Sequence, residues 1–209
     1  IVSMSIGAGN SSGYCDDDEV AQAVNLLSEK EIITVAATGN EGDQGIKTPA
    51  CASSALPVGA STKNNEVASL TNYNKNTLLV APGINIETID RTGQITTTSG
   101  TSISVPFVSG TIALIQEQNK SINISSLKTL VVQTGDLVTN TRNNKTKYVA
   151  QINAWNAING NYTNNLTAEN IPDIISNQTN ETINDTFEVL SDGVIPNSFS
   201  YKKQVNITA

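Results

Sequence analysis

The 209-residue chain is 38% apolar and 15% charged, too apolar for a wholly disordered polypeptide, and it has no run of about eighteen apolar residues that could span a bilayer. Nineteen acids against twelve bases give a net charge of −7, which argues against non-specific binding to nucleic acid or to an anionic membrane surface. No histidine is present, so these residues hold neither an imidazole general base nor a His metal ligand.

Residues 1–6 (IVSMSI) form an apolar run without the layout of a signal peptide, and the text reads as beginning in mid-protein. The run predicts a strand, which Gly7, Gly9, Asn10 and Gly13 turn into a loop. Asp16, Asp17, Asp18 and Glu19 then precede an apolar stripe of Val20, Ala21, Ala23, Val24, Leu26 and Leu27 that ends at Lys30. Acids first and a base last predict a helix. Residues 32–37 (IITVAA) are a second strand stopped by Thr38, Gly39 and Asn40, so the opening is a βαβ unit of a parallel sheet. Further buried strands are expected at 56–60 and 78–81, separated by a polar, Asn-rich stretch at 62–76. A mostly buried helix should run from Ser102 to about Asn119 on Ile103, Val105, Phe107, Val108, Ile112, Ala113 and Ile115, with Pro106 tolerated near its first turn. Ser125 can cap another helix through Leu127, Leu130 and Val131, and Asn153 to Ile158 is a last short one. The fold class is α/β over 1–160, followed by an Asn/Thr-rich linker at 161–186. Phe187, Val189, Phe199, Tyr201 and Val205 then suggest the start of a truncated β module at 187–209.

Two segments carry chemistry. In Gly100-Thr101-Ser102-Ile103-Ser104-Val105-Pro106 a glycine precedes a serine at the start of a buried helix, a place where a nucleophilic hydroxyl can be presented. The alternative is an ordinary serine N-cap. The nucleophile elbow of α/β-hydrolases is disfavoured, because it needs Gly two residues after the serine and Ser104 stands there. Thr38-Gly39-Asn40-Glu41-Gly42 follows a parallel strand at the end where open α/β sheets bind ligands. An Asn amide there can donate to an oxyanion, and the alternative is an Asn-and-Gly turn. Three successive acids from Asp16 lack the alternating spacing of a calcium loop and suit a helix N-terminus, so no metal residues are assigned.

Taken in order, IVSMSIG, TVAATGNEG, TPACASSALPVGAST, LLVAPG and GTSISVPFVSGTIALI make residues 1–160 resemble the C-terminal half of a subtilisin-like serine protease catalytic domain (subtilase, peptidase S8 family). The segments stand for the family's substrate-side strand, its oxyanion-hole segment, its proline-containing loop with the next strand, the strand before the nucleophile, and the nucleophile helix.

The resemblance implies that Ser102 is the nucleophile of a secreted endopeptidase working through an acyl-enzyme, with Asn40 and the Ser102 N–H in the oxyanion hole. It implies that Ser5, Ile6 and Gly7, with Ala37, Thr38 and Gly39, flank the cleft and pair with an extended polypeptide substrate. The family's Asp and His belong upstream in chain order, so the 209 residues alone are expected to be inactive. Ile103 and Phe107 stand where the family often has Met and His, and are read as packing changes. Tyr14-Cys15-Asp16 and Pro49-Ala50-Cys51 resemble a cysteine pair of one bacterial-type branch, which implies a Cys15–Cys51 disulfide; two free thiols are the alternative. No cofactor is needed for the chemistry, and the resemblance allows a structural calcium without naming ligands. Ten Asn-X-Ser/Thr triplets add mild support for a glycosylated, secreted or cell-surface protein. A catalytically inactive subtilase-like binding or cell-surface domain is the competing reading, and the oligomeric state is not legible.

Overall fold

The computed structural model describes residues 1–142, 145–161 and 163. In chain order the elements are β1 (Val2–Met4), β2 (Ala8–Ser11), α1 (Glu19–Ser28), β3 (Thr34–Ala37), β4 (Ile46–Thr48), β5 (Leu56–Ser61), β6 (Leu79–Pro82), β7 (Ile86–Ile89), β8 (Ile95–Thr98), α2 (Thr101–Gln118), α3 (Ile124–Gln133), β9 (Asp136–Arg142), β10 (Lys145–Gln151) and α4 (Ala154–Asn159). The expected linker and β module, apart from Asn161 and Thr163, lie outside the described residues.

One six-stranded sheet runs β1-β3-β5-β6-β10-β9. Its first five strands are parallel, and β9 closes the edge antiparallel to β10. Alternation within β3 assigns its two faces: Val35 and Ala37 join the cluster of Val105, Val108 and Ile112 from α2, while Ala36 joins Ala21 and Val24 from α1. The sheet is therefore covered on both sides, which is why β3 and β5 are buried along their whole length.

Several expectations change in detail. The first strand stops at Met4, and Ser5, Ile6 and Gly7 continue outside the ladder as exposed chain. Helix α1 buries only Ala21 and Val24 of its stripe, leaving Val20 and Leu26 to solvent. Asp18 is its N-cap, accepting from the N–H groups of Val20 and Ala21. Helix α2 packs one side on the sheet, so Phe107 and Ala113 face outward instead of inward. Asn123, not Ser125, caps α3, its side chain accepting from Ser126 N–H. The antiparallel pairs β7–β8 and β9–β10 were not expected, since strands of mixed Thr, Asn, Glu and Lys lack an apolar run. Cys15 and Cys51 are bonded with Cα atoms 5.4 Å apart, joining the entry of α1 to the loop before β5.

Candidate active site

Strands β1 and β3 are neighbours, and their carboxyl ends deliver Ser5–Gly7 and Gly39–Asn40 to the same edge. The start of α2 arrives there after β6, held by Ser104, whose hydroxyl donates to the carbonyls of Ala81 (2.9 Å) and Pro82 (3.3 Å). Ser102 is the second residue of that helix and Gly100 its N-cap, so the serine is not the cap and its side chain is free of that role. Ser102 Oγ has no hydrogen-bond partner among the described residues, while the Ser102 carbonyl accepts from Ser5 Oγ at 2.7 Å.

Asn40 Oδ1 accepts from the Thr101 N–H at 2.8 Å and from the Thr101 hydroxyl at 2.9 Å. A backbone N–H can only donate, so the atom facing it is the amide oxygen and the opposite end, Nδ2, is the donor turned elsewhere. Gly100 has φ 153°, and a Cβ on it would stand 3.2 Å from Asn40 Nδ2 and 3.3 Å from Ser102 Oγ. Glycine thus permits the backbone angle and keeps open the gap that both polar groups face. Donor, hydroxyl and helix N-terminus converge on one spot, an arrangement able to stabilise negative charge developing on an oxygen next to Ser102.

Ser5, Ile6, Gly7, Ala37, Gly39, Asn40, Thr101 and Ser102 line one cavity of about 110 Å³, together with Glu41 and Lys47. Of the residues expected at the cleft, Thr38 is the exception: it is fully buried, its N–H donates to the Val58 carbonyl, and its carbonyl accepts from Lys47 N–H. Its backbone groups are committed to the fold, so it cannot pair with a substrate. It shapes the cleft from behind.

Four residues to which the sequence assigned no role support the site. Thr101 links Gly39 to Asn40, because its Oγ1 accepts from Gly39 N–H at 3.2 Å while donating to Asn40. Asn72 is fully buried, and its Oδ1 accepts from the N–H groups of Glu41 (2.9 Å) and Asp43 (3.1 Å) while its Nδ2 donates to Glu41 Oε2 at 2.7 Å. Arg142 donates to the carbonyls of Gly42 and Ala68, both at 3.0 Å, and lies 4.3 Å over the Tyr73 ring. Lys47 meets Glu41 Oε1 at 3.2 Å. Desolvation pushes the Glu41 carboxyl up, but hydrogen bonds from Asn72 and Lys47, the Lys47 charge and the Asn40 N–H together hold it below the usual carboxylate value. Thr101 sits in the quoted GTS segment, but Asn72 and Arg142 lie in stretches whose composition carried no signal.

Among the described residues no three of the Cys, Asp and Glu side chains are grouped to hold a metal ion. Asp16 and Asp18 are instead occupied locally, Asp16 Oδ1 accepting from Asn25 Nδ2 and Ser53 N–H. The acids of this segment do not fit a calcium cage. Among the described residues, no helix is long and apolar enough to cross a membrane.

Comparisons with known proteins bear on the chain's family and fold. Residues 1–161 match the profile of the Subtilase family. The chain is 33% identical over 121 residues to Subtilisin BL of Lederbergia lenta, covering 58% of this chain and 43% of that protein. It is 30% identical over 158 residues to the Thermophilic serine proteinase of Bacillus sp. strain AK1, covering 76% of this chain and 37% of that protein. The chain therefore spans less than half the length of these relatives. Among solved structures, the prenylagaramide maturation protease PagA superposes with a TM-score of 0.62 at 24% identity, covering 74% of this chain and 59% of that one, a likeness of fold.

Proposed function

The chain belongs to the Subtilase family, and from that membership we propose that it forms the nucleophile-bearing half of a secreted subtilisin-like serine endopeptidase. The observation that carries this reading is the anchoring of Asn40 Oδ1 by Thr101, which leaves Nδ2 and Ser102 Oγ facing the same gap beside Gly100. In the proposed reaction Ser102 Oγ attacks the carbonyl carbon of the scissile bond while its proton passes to an imidazole. The developing oxyanion takes hydrogen bonds from Asn40 Nδ2 and the Ser102 N–H. Cleavage of the C–N bond returns that proton to the leaving amine and leaves an ester on Ser102. Water then attacks the ester, gives a proton to the imidazole, and the serine is regenerated.

On this reading Ser102 and Asn40 serve as nucleophile and oxyanion donor, and the base comes from elsewhere, since the 209 residues contain no histidine. The imidazole and the carboxylate that orients it are proposed to come from upstream sequence of the gene product. The second reading, a subtilase-like domain kept for binding, turns on whether that Asp and His are present upstream. Secretion is supported by the Cys15–Cys51 bond, a linkage that persists in oxidising compartments, and any structural calcium would need ligands beyond the described carboxylates. The deciding experiment is incubation of the full-length gene product with casein and a fluorophosphonate probe. Casein cleavage with labelling at Ser102 is expected; an unlabelled, inactive protein whose upstream sequence lacks the Asp and His would establish the binding reading.

A further inference from the structure

Residues 38–43, which carry Asn40, belong to neither a helix nor a strand, so no ladder of their own holds the amide in place. What holds them comes from the segment between β5 and β6. The Gly42 N–H donates to the Leu70 carbonyl at 2.8 Å, the Asn72 N–H to the Gly39 carbonyl at 3.0 Å, and the Tyr73 N–H to the Asp43 carbonyl at 3.1 Å. These are main-chain bonds, indifferent to the side chain at residue 72. The Asn72 side chain adds three more: Oδ1 takes the N–H groups of Glu41 and Asp43, and Nδ2 donates to Glu41 Oε2. That same carboxylate oxygen accepts from the Asn40 N–H at 3.2 Å. The N–H groups of residues 40, 41 and 43 therefore all depend on one side chain, the first of them by way of Glu41.

Only an amide meets these demands. It accepts twice and donates once, whereas a carboxylate cannot donate to Glu41, a serine hydroxyl is too short to reach all three partners, and leucine offers nothing. Asn72 is fully buried, so its bonds are shielded from competing water. The residue before Asn40 makes room for it: Gly39 has φ 113°, and a Cβ there would stand 2.5 Å from Asn72 Nδ2 and 3.0 Å from its Cγ. Asn40 is thus gripped at two ends. Thr101 holds the amide oxygen, and Asn72 holds the backbone from which the side chain springs.

We propose that Asn72 is a positioning residue for the oxyanion donor, acting through the backbone of residues 39–43 and touching no substrate itself. The proposal rests on the peptidase reading above and deepens it. Asn72 lines no part of the cavity beside Ser102, so its effect reaches the reaction through the aim of Asn40 Nδ2. That aim matters most once negative charge has formed on the substrate oxygen, and a small misplacement of a catalytic group is costly there.

The test compares the full-length protein with Asn72→Leu, which is close to asparagine in shape and has neither donor nor acceptor. Asn72→Ser, whose shorter side chain leaves space that water can enter, carries the same test if leucine prevents folding. Rates on one peptide substrate are divided by the active sites titrated with a fluorophosphonate, which removes any loss of folded protein from the comparison. Per titrated site, kcat is expected to fall about ten- to a hundredfold with KM changed by less than about threefold. A peptide aldehyde, whose adduct with Ser102 is tetrahedral and carries the oxyanion, should lose affinity by a similar factor. Unchanged kcat per site, or a loss confined to KM with aldehyde affinity kept, would overturn the proposal and leave the peptidase reading intact. A parent protein that neither cleaves the peptide nor takes the label would overturn both.

Discussion

Thr101 donates twice to a single atom of Asn40, through its N–H at 2.8 Å and its hydroxyl at 2.9 Å. The N–H bond would survive substitution of the side chain, but the hydroxyl relay from Gly39 through Thr101 to Asn40 would not. On the peptidase reading, Thr101→Val in the full-length protein should lower kcat about tenfold with KM little changed, because the amide is then less firmly aimed at a charge that exists only after attack. Thr101→Ser should recover most of the loss. Steady-state kinetics of both variants on one peptide substrate check this, and an effect confined to KM would contradict it.

Ser102 and Asn40 should differ in kind. Removing the bond-forming oxygen with Ser102→Ala should abolish turnover. Asn40→Ala, which removes one donor, should leave a slow enzyme with kcat reduced on the order of a hundred- to a thousandfold, a magnitude known from subtilisin itself rather than derived from this chain. Kinetics together with active-site titration would distinguish loss of rate from loss of folded protein.

Cys15 and Cys51 are 36 residues apart in sequence, and their bond ties the entry of α1 to the loop leading into β5. On the chain-entropy account, replacing both by serine should reduce unfolding free energy by about 3 to 4 kcal/mol. Urea unfolding of oxidised, reduced and doubly substituted protein is the check. The reduced and substituted forms should fall together, well below the oxidised one.

Burial depresses the Lys128 ammonium to about 8 from an ordinary 10.5, although its Nζ donates to the carbonyls of Ser54 (2.7 Å) and Ala55 (3.1 Å). Between those two pH values the unfolded chain holds more protons than the folded one, so this group makes stability rise as pH increases through the window. Below pH about 8 both states are charged there, and the whole desolvation cost is present. Relative to Lys128→Met, the unsubstituted protein should gain on the order of 3 kcal/mol between pH 8 and 10.5. Denaturant titrations of both proteins across that range would show a flat difference if the ammonium were solvated.

Strands β3, β5 and β6 were legible because each is a short apolar run buried on both faces, and α2 because its apolar spacing follows Gly100. Strands β9 and β10 were not: they close the sheet with Thr, Asn and Lys, and backbone pairing rather than side-chain burial holds much of them. In the site, Ser102 and Asn40 stood out because a serine and an asparagine sit at recognisable helix and strand ends. Asn72 did not, since a fully buried asparagine in an Asn-rich stretch reads as a polar loop until Glu41 and Asp43 are seen to lean on it. Lys47 was hidden for a related reason: the residue it packs against is Gly7, 40 positions earlier.

The contact between Ser5 and Ser102 closes 97 positions of sequence. Neither β1 nor the first turn of α2 contains a cleft alone; it exists only once β3, β5 and β6 have stacked in parallel between them, and pairings of such high sequence separation form late and slowly. A folding intermediate with α1, α2 and part of the sheet in place would look nearly native by secondary structure and yet have nowhere to seat a peptide.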